Sequence, residues 1–133
     1  MIDFATLTGA ARVALGTDLP ALFCNDDKLA ADITAAGQAV EDPLWRLPLW
    51  DGYRSMVEGA QADLTNSPEG GYAGAITAAL FLEHFATPEK GKPVPWAHVD
   101  LMAWNLKSRP GRPQGGEGMG LRAMAAMILK RFA

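Results

Sequence analysis

Residues 2–9, IDFATLTG, constrain the fold of this chain more than any other stretch. Ile2, Phe4 and Thr6 fall on one face of an extended backbone, and Asp3, Ala5 and Leu7 on the other. Such alternation in β-favouring residues makes a strand, and Gly9 ends it in a turn. The strand opens directly after Met1, where domains ordinarily carry a polar, frayed segment. A strand of central character in that place leads to the expectation that upstream chain completes the unit.

The 133 residues suffice for one domain, with no internal repeat and no second domain. Apolar residues make up 49%, enough for a real core, while 14 Gly and 9 Pro require many loops. A net charge of −3 gives no footprint for nucleic acid, so none is expected as a partner. Cys24 is the sole cysteine, which excludes an internal disulfide and fits a reducing, cytoplasmic setting. Asp3 interrupts any signal-like start, and the longest uncharged run, residues 70–82, falls short of the roughly 20 residues of a membrane span. No membrane association is expected.

The alternation of strand and helix patterns sets the fold class. After Gly9, AARVALG reads as a short helix closed by Gly16, and ALFC at residues 21–24 as a second strand. Asn25, Asp26 and Asp27 are good N-cap residues for a helix carrying Leu29, Ile33, Ala36 and Val40. Pro43 and Pro48 forbid a regular central strand in residues 41–51, so Trp45, Leu47, Leu49 and Trp50 are expected to cover a neighbouring surface, in this chain or another subunit. Residues 52–59 suit a short helix and residues 62–71 a loop. Residues 72–85 are helical and apolar nearly all round, the mark of a buried helix, with Thr87 and Pro88 stopping it before the loop 89–93. Residues 96–103 form the third strand, and residues 105–118 a polar loop with Lys107, Arg109 and Arg112. The last helix, 118–132, presents Leu121, Met124, Ala125, Ile128, Leu129 and Phe132 as one stripe, with Glu117 and Lys130-Arg131 placed to suit its dipole. The expectation is an α/β fold in three layers, α/β/α, around a largely parallel, mixed sheet.

Ligands of such sheets bind off the carboxyl ends of the strands, here residues 6–9, 24–26 and 102–105. His98 and Asp100 share a strand face, as two metal ligands or, more simply, as a hydrogen-bonded polar pair. Glu83-His84 has no second histidine at helical spacing, so the zinc-protease pattern is absent. The glycines of residues 115–120 read as a phosphate cradle or as a loop needing conformational freedom; no strand feeds them and no Lys-Ser/Thr follows. Cys24 reads as a nucleophile at a strand end or as a buried, inert thiol, and the basic loop as a solvated surface. From the residues alone, no self-sufficient catalytic set emerges.

The blocks DFATLTGAARVALG, ALFCND, WRLPL, AD-x-x-N, GAITAALFLEHF and WAHVD, followed by the last helix, occur in an order and spacing that resembles the leucyl (cytosol) aminopeptidase family over nearly the whole chain. The resemblance implies that residues 1–133 are the C-terminal portion of an N-terminally truncated catalytic domain. It implies a parent enzyme that removes N-terminal residues from peptides with two divalent metals, zinc or manganese, and that assembles as a hexamer. The family's metal ligands lie on segments ahead of the TLTG turn, the last being an N-T-D-A-E-G-R motif. No catalytic or metal-ligating residue is therefore expected here, no metal bound by this chain alone, and no activity from it. Its expected share is the substrate side: Thr6, Leu7 and Gly9 along the bound peptide, with Met102 and Ala103 lining the pocket for the N-terminal side chain. Many relatives read H-L-D-I-A-G-T-A-W where this chain reads HVDLMAW at 98–104, two positions shorter. The competing class is a non-catalytic α/β domain of the same descent that binds peptides or partners.

Overall fold

The computed structural model describes residues 1–86 and 92–133. Strands β1 (Ile2–Ala5), β2 (Ala21–Cys24), β3 (Trp45–Arg46) and β4 (Ala97–Asp100) form one sheet in the order β1-β4-β2-β3. β1 runs parallel to β4, with Ala5 opposite Asp100, and β2 runs parallel to β3. β2 is antiparallel to β4, with Ala21 opposite Asp100 and Cys24 opposite Ala97. The sheet is mixed and mostly parallel. β3 sits at its edge, where the bracketing Pro43 and Pro48 are tolerated.

Side-chain alternation along the strands assigns the helices to faces. Leu22, Cys24, Ala97 and Val99 point to one face, under α2 (Asp27–Ala39) and α4 (Leu121–Phe132), and meet Leu29, Ile33, Met124 and Met127. Ala21 and Phe23 point to the other, against Ala11 of α1 (Gly9–Leu15) and Ala75 and Ala79 of α3 (Gly74–Ala86). Three layers result. Thr8 and Asp26 cap α1 and α2, accepting from Ala11 N at 3.1 Å and Leu29 N at 2.7 Å. Gly16 ends α1 with φ of +81°, a conformation glycine adopts without steric cost.

Several expectations are corrected. The expected apolar stripe of α4 is split: Met124 is buried, whereas Leu121, Leu129 and Phe132 are 63%, 71% and 79% exposed, and Ile128 is exposed too. The buried side is Ala123, Met124 and Met127. Small residues decide this, since a Cβ on Gly37 of α2 would stand only 3.4 Å from the Ala123 Cβ, so α2 and α4 meet closely along that line. α3 is largely but not wholly buried: Ala75, Thr77, Ala79, Leu80 and Glu83 are covered, while Phe85 is exposed, as is Tyr72, which lies ahead of the helix. The third strand stops at Asp100 rather than 103, because the chain turns at Ala103, whose φ is +55°, and Trp104–Asn105 (β5) pairs instead with Gly115–Gly116 (β6). Within residues 41–51, Leu47 and Leu49 do pack on the core, but Trp45 and Trp50 remain exposed. Residues 52–59 hold a 3-10 helix over Asp51–Val57. The expected stop at Thr87-Pro88 and most of the loop 89–93 lie outside the described residues.

Candidate functional site

The turn that follows β1 is held from across the sheet. Asp100, at the end of β4, is 3% exposed, and its carboxylate accepts from Leu7 N at 3.0 Å, Thr8 N at 3.2 Å and Thr8 Oγ1 at 2.6 Å. Leu101 N adds a bond to Ala5 O at 3.1 Å. The parallel pairing of β1 with β4 is what brings these groups together, since both chains leave the sheet at the same end. The same Thr8 hydroxyl caps α1, so one residue fixes both the turn and the start of the helix.

This clasp gathers the residues expected to form a site. Thr6, Leu7 and Gly9 are exposed on the turn, and Met102 and Ala103 lie half-buried where the chain leaves β4. Arg12 of α1 bridges the two segments, its Nη1 reaching Met102 Sδ at 3.2 Å. Gly9 needs no special backbone conformation, and a Cβ there would meet only Arg12 Nη2, at an ordinary 3.6 Å. Nothing in the described chain demands glycine at that position. A hollow of about 270 Å³ opens beside the turn, walled by Leu7, Thr8, Asn66, Gly74, Thr77 and Phe81. The third expected strand end, residues 24–26, is not part of this site. The antiparallel run of β2 sends it to the opposite end of the sheet, where Asn25 Oδ1 accepts from Trp96 N at 2.8 Å.

His98 and Asp100 share a face but not a bond. His98 is fully buried between the rings of Phe23 and Trp96, and its Nδ1 lies 2.5 Å from Asp3 Oδ1. Trp96 Nε1 donates to the other Asp3 oxygen at 2.6 Å. The expected polar pair is thus two separate ones, Asp3 with His98 and Asp100 with the turn. Among the described residues no three His, Cys, Asp or Glu side chains converge on a point where a metal could sit. The oxygens of Asp3 and Asp100 are engaged by protein partners, so these residues do not fit a metal pair.

The remaining candidates resolve physically. Cys24 is buried, its thiol donates to Asp26 O at 3.1 Å, and burial pushes its pKa above the ordinary 9.0. The thiol form is inert. The phosphate-cradle reading of residues 115–120 is closed by Asp42. Its buried carboxylate already accepts from Gly120 N, Arg122 N and Ala123 N at 3.0, 2.9 and 3.2 Å, filling the start of α4. Asp42, not Glu117, serves the helix dipole, because Glu117 Oε2 takes Asn105 Nδ2 at 2.6 Å instead. Arg109 and Arg112 of the basic loop pair with Asp18 and Glu117. Sequence reasoning passed over Thr8 and Arg12. A threonine one residue ahead of a helix start was the available signal for the first; nothing marked the second.

The model of the cytosol aminopeptidase family, catalytic domain, matches residues 1–125. A protein of Syntrophotalea carbinolica named "Probable cytosol aminopeptidase" is 42% identical over 130 residues, covering 96% of this chain and 25% of that protein. The crystal structure of a cytosol aminopeptidase from Coxiella burnetii superposes with a TM-score of 0.89 at 54% identity, over 99% of this chain and 28% of that one. The bottromycin maturation enzyme BotP, solved in complex with Mn, gives 0.88 at 37% identity, over 98% and 28%. The chain thus spans about a quarter of the length of the relatives it matches.

Proposed function

The chain belongs to the cytosol aminopeptidase family, and from that premise we propose that it supplies the substrate side of a peptidase that removes N-terminal residues from peptides. In this reading Thr6, Leu7 and Gly9 run along the bound peptide, and Met102 and Ala103 wall the pocket of its first side chain. Two divalent ions, zinc or manganese, are held by other segments of the working enzyme, a cytoplasmic assembly of six copies. The family is one of metallopeptidases. Among the described residues no helix is long and apolar enough to cross a membrane.

One observation carries the reading: Asp100 ties the turn to the exit of β4, bringing all five residues to one end of the sheet. Gly9 adds support. Its backbone is exposed, glycine is not required by its own chain, and a close-approaching ligand is the ordinary reason for such a glycine. The test is Gly9→Val in the complete gene product, assayed on leucyl p-nitroanilide with manganese. Because a Cβ fits locally, thermal stability should stay within a few degrees while KM rises about tenfold, as expected for about 1.4 kcal/mol of lost binding. An unchanged KM would sink the reading. The second reading is a peptide-binding domain of the same descent without chemistry; the absence of a converging ligand set among the described residues fits it for this chain taken alone. It predicts peptide binding without turnover, which an assay on leucyl p-nitroanilide with manganese distinguishes from the first.

A further inference from the structure

Six of the seven arginines meet a carboxylate: Arg46 with Asp27, Arg54 with Glu83, Arg109 with Asp18, Arg112 with Glu117, Arg122 with Asp42 and Arg131 with Asp32. Among the described residues Arg12 meets none. Its hydrogen bond goes to the Met102 thioether at 3.2 Å, and a thioether is a weak acceptor. Its other terminal nitrogen hangs 3.6 Å from where a Cβ on Gly9 would stand. The exposed guanidinium therefore spans the gap between Gly9 and Met102 with most of its donor fork free.

We infer that Arg12 selects peptides whose first residue carries a side-chain carboxylate, glutamate or aspartate. This rests on reading Gly9 and Met102 as walls of the pocket for that side chain. A guanidinium presents planar, paired donors that match a carboxylate in geometry as well as charge. Met102 steadies the fork without neutralising it, so an arriving carboxylate displaces only a weak sulfur contact. Asp100, which holds the turn, does not compete, because its oxygens are taken by Leu7 and Thr8. A first residue with a cationic side chain is repelled, and an apolar one gains nothing from Arg12.

The test uses the complete gene product, kept metal-free so that no peptide is cleaved, labelled with 15N and at the methionine methyls. It is titrated with C-terminally amidated glutamyl-, glutaminyl-, leucyl- and lysyl-alanine while the Gly9 amide and the Met102 methyl are followed by NMR. Glutamyl and glutaminyl peptides share a shape and differ in charge. The glutamyl peptide should bind about two- to fivefold tighter, the range of an exposed ion pair, with the difference shrinking as salt rises. Arg12→Gln should erase the difference and Arg12→Lys restore part of it. Equal binding of the two, with both shifting Gly9 and Met102, overturns the role of Arg12 and leaves the pocket reading standing. No peptide shifting either signal overturns the pocket reading and this inference with it. If the free acid of glutaminyl-alanine matches amidated glutamyl-alanine, Arg12 takes the terminal carboxylate, and the side-chain assignment is overturned.

Discussion

A carboxylate as buried as Asp100 is tolerated only where donors replace the water it has lost. Leu7 N, Thr8 N and the Thr8 hydroxyl supply them. Removing the carboxylate strands two amides and frees the turn, so Asp100→Ala should cost about 2–4 kcal/mol in urea denaturation. Thr8→Ala removes one donor and the α1 cap together, and about 1–2 kcal/mol is expected. A double mutant close to Asp100→Ala alone would show that the two act as one unit; full additivity would show that they do not. Cys24 gives a test by pH. Burial raises its folded pKa, so the unfolded chain releases the thiol proton first. Its contribution is complete below the ordinary value of 9.0 and is lost as pH climbs through the raised folded value. Alkylation by iodoacetamide at pH 8 should be at least tenfold slower in the folded chain than in urea. Equal rates would contradict a buried thiol.

At the scale of elements, α4 shows why a sequence pattern can locate a helix and still misplace its face. The expected stripe joined Met124 to Leu121, Ala125, Ile128, Leu129 and Phe132, whereas the buried set is Ala123, Met124 and Met127. Periodicity weighs size, whereas packing here is decided by how closely two helices can approach. Gly37 and Ala123 permit the approach, and Asp42 fixes the helix start by taking three of its free amides. Neither the glycine contact nor a cap from a distant loop leaves a local trace. β1, β2 and β4 were legible because alternation is local; the edge strand β3 was not, since Pro43 and Pro48 excluded only a central strand there. The antiparallel run of β2 was not, because direction depends on connections that no local pattern records. The turn residues came from resemblance, and their clasp by Asp100 needed the register of β1 on β4. Gly37→Ala puts a Cβ 2.8 Å from Asp42 O, and about 1–3 kcal/mol of destabilisation is expected by thermal melting. Asp42→Ala should cost about 2–3 kcal/mol and lower helicity by circular dichroism. A melting temperature raised by Gly37→Ala would show that α2 and α4 are not in tight register.

At the scale of the whole molecule, two unsatisfied surfaces lie side by side. Among the described residues β1 pairs with β4 alone, so its outer edge offers free backbone groups. Beside it, Met1, Val94, Ile128 and Phe132 stand exposed around a hollow of about 440 Å³. Open edges and apolar patches of this kind associate. The 133-residue chain should therefore self-associate in light scattering, and Phe132→Glu with Ile128→Lys should reverse this; a stable wild-type monomer at high concentration would count against it. Chemistry poses the sharper question. Two-metal hydrolysis needs several fixed ligands for each ion, because hydrated cations give up water only to a full set. Here the Asp3 carboxylate is committed to His98 and Trp96, and that of Asp100 to the turn. Freeing either would leave buried donors unpaired, at about 1–3 kcal/mol each, before any metal bound. A peptide resting on the turn would then be bound without a group to activate water, and binding alone gives little rate. The 133-residue chain should thus show no turnover of leucyl p-nitroanilide with manganese or zinc, and hold no stoichiometric metal after dialysis. Chelator-sensitive turnover by this chain, with host enzyme excluded, would require Asp3, His98 and Asp100 to rearrange into a ligand set, and their substitution would then abolish it.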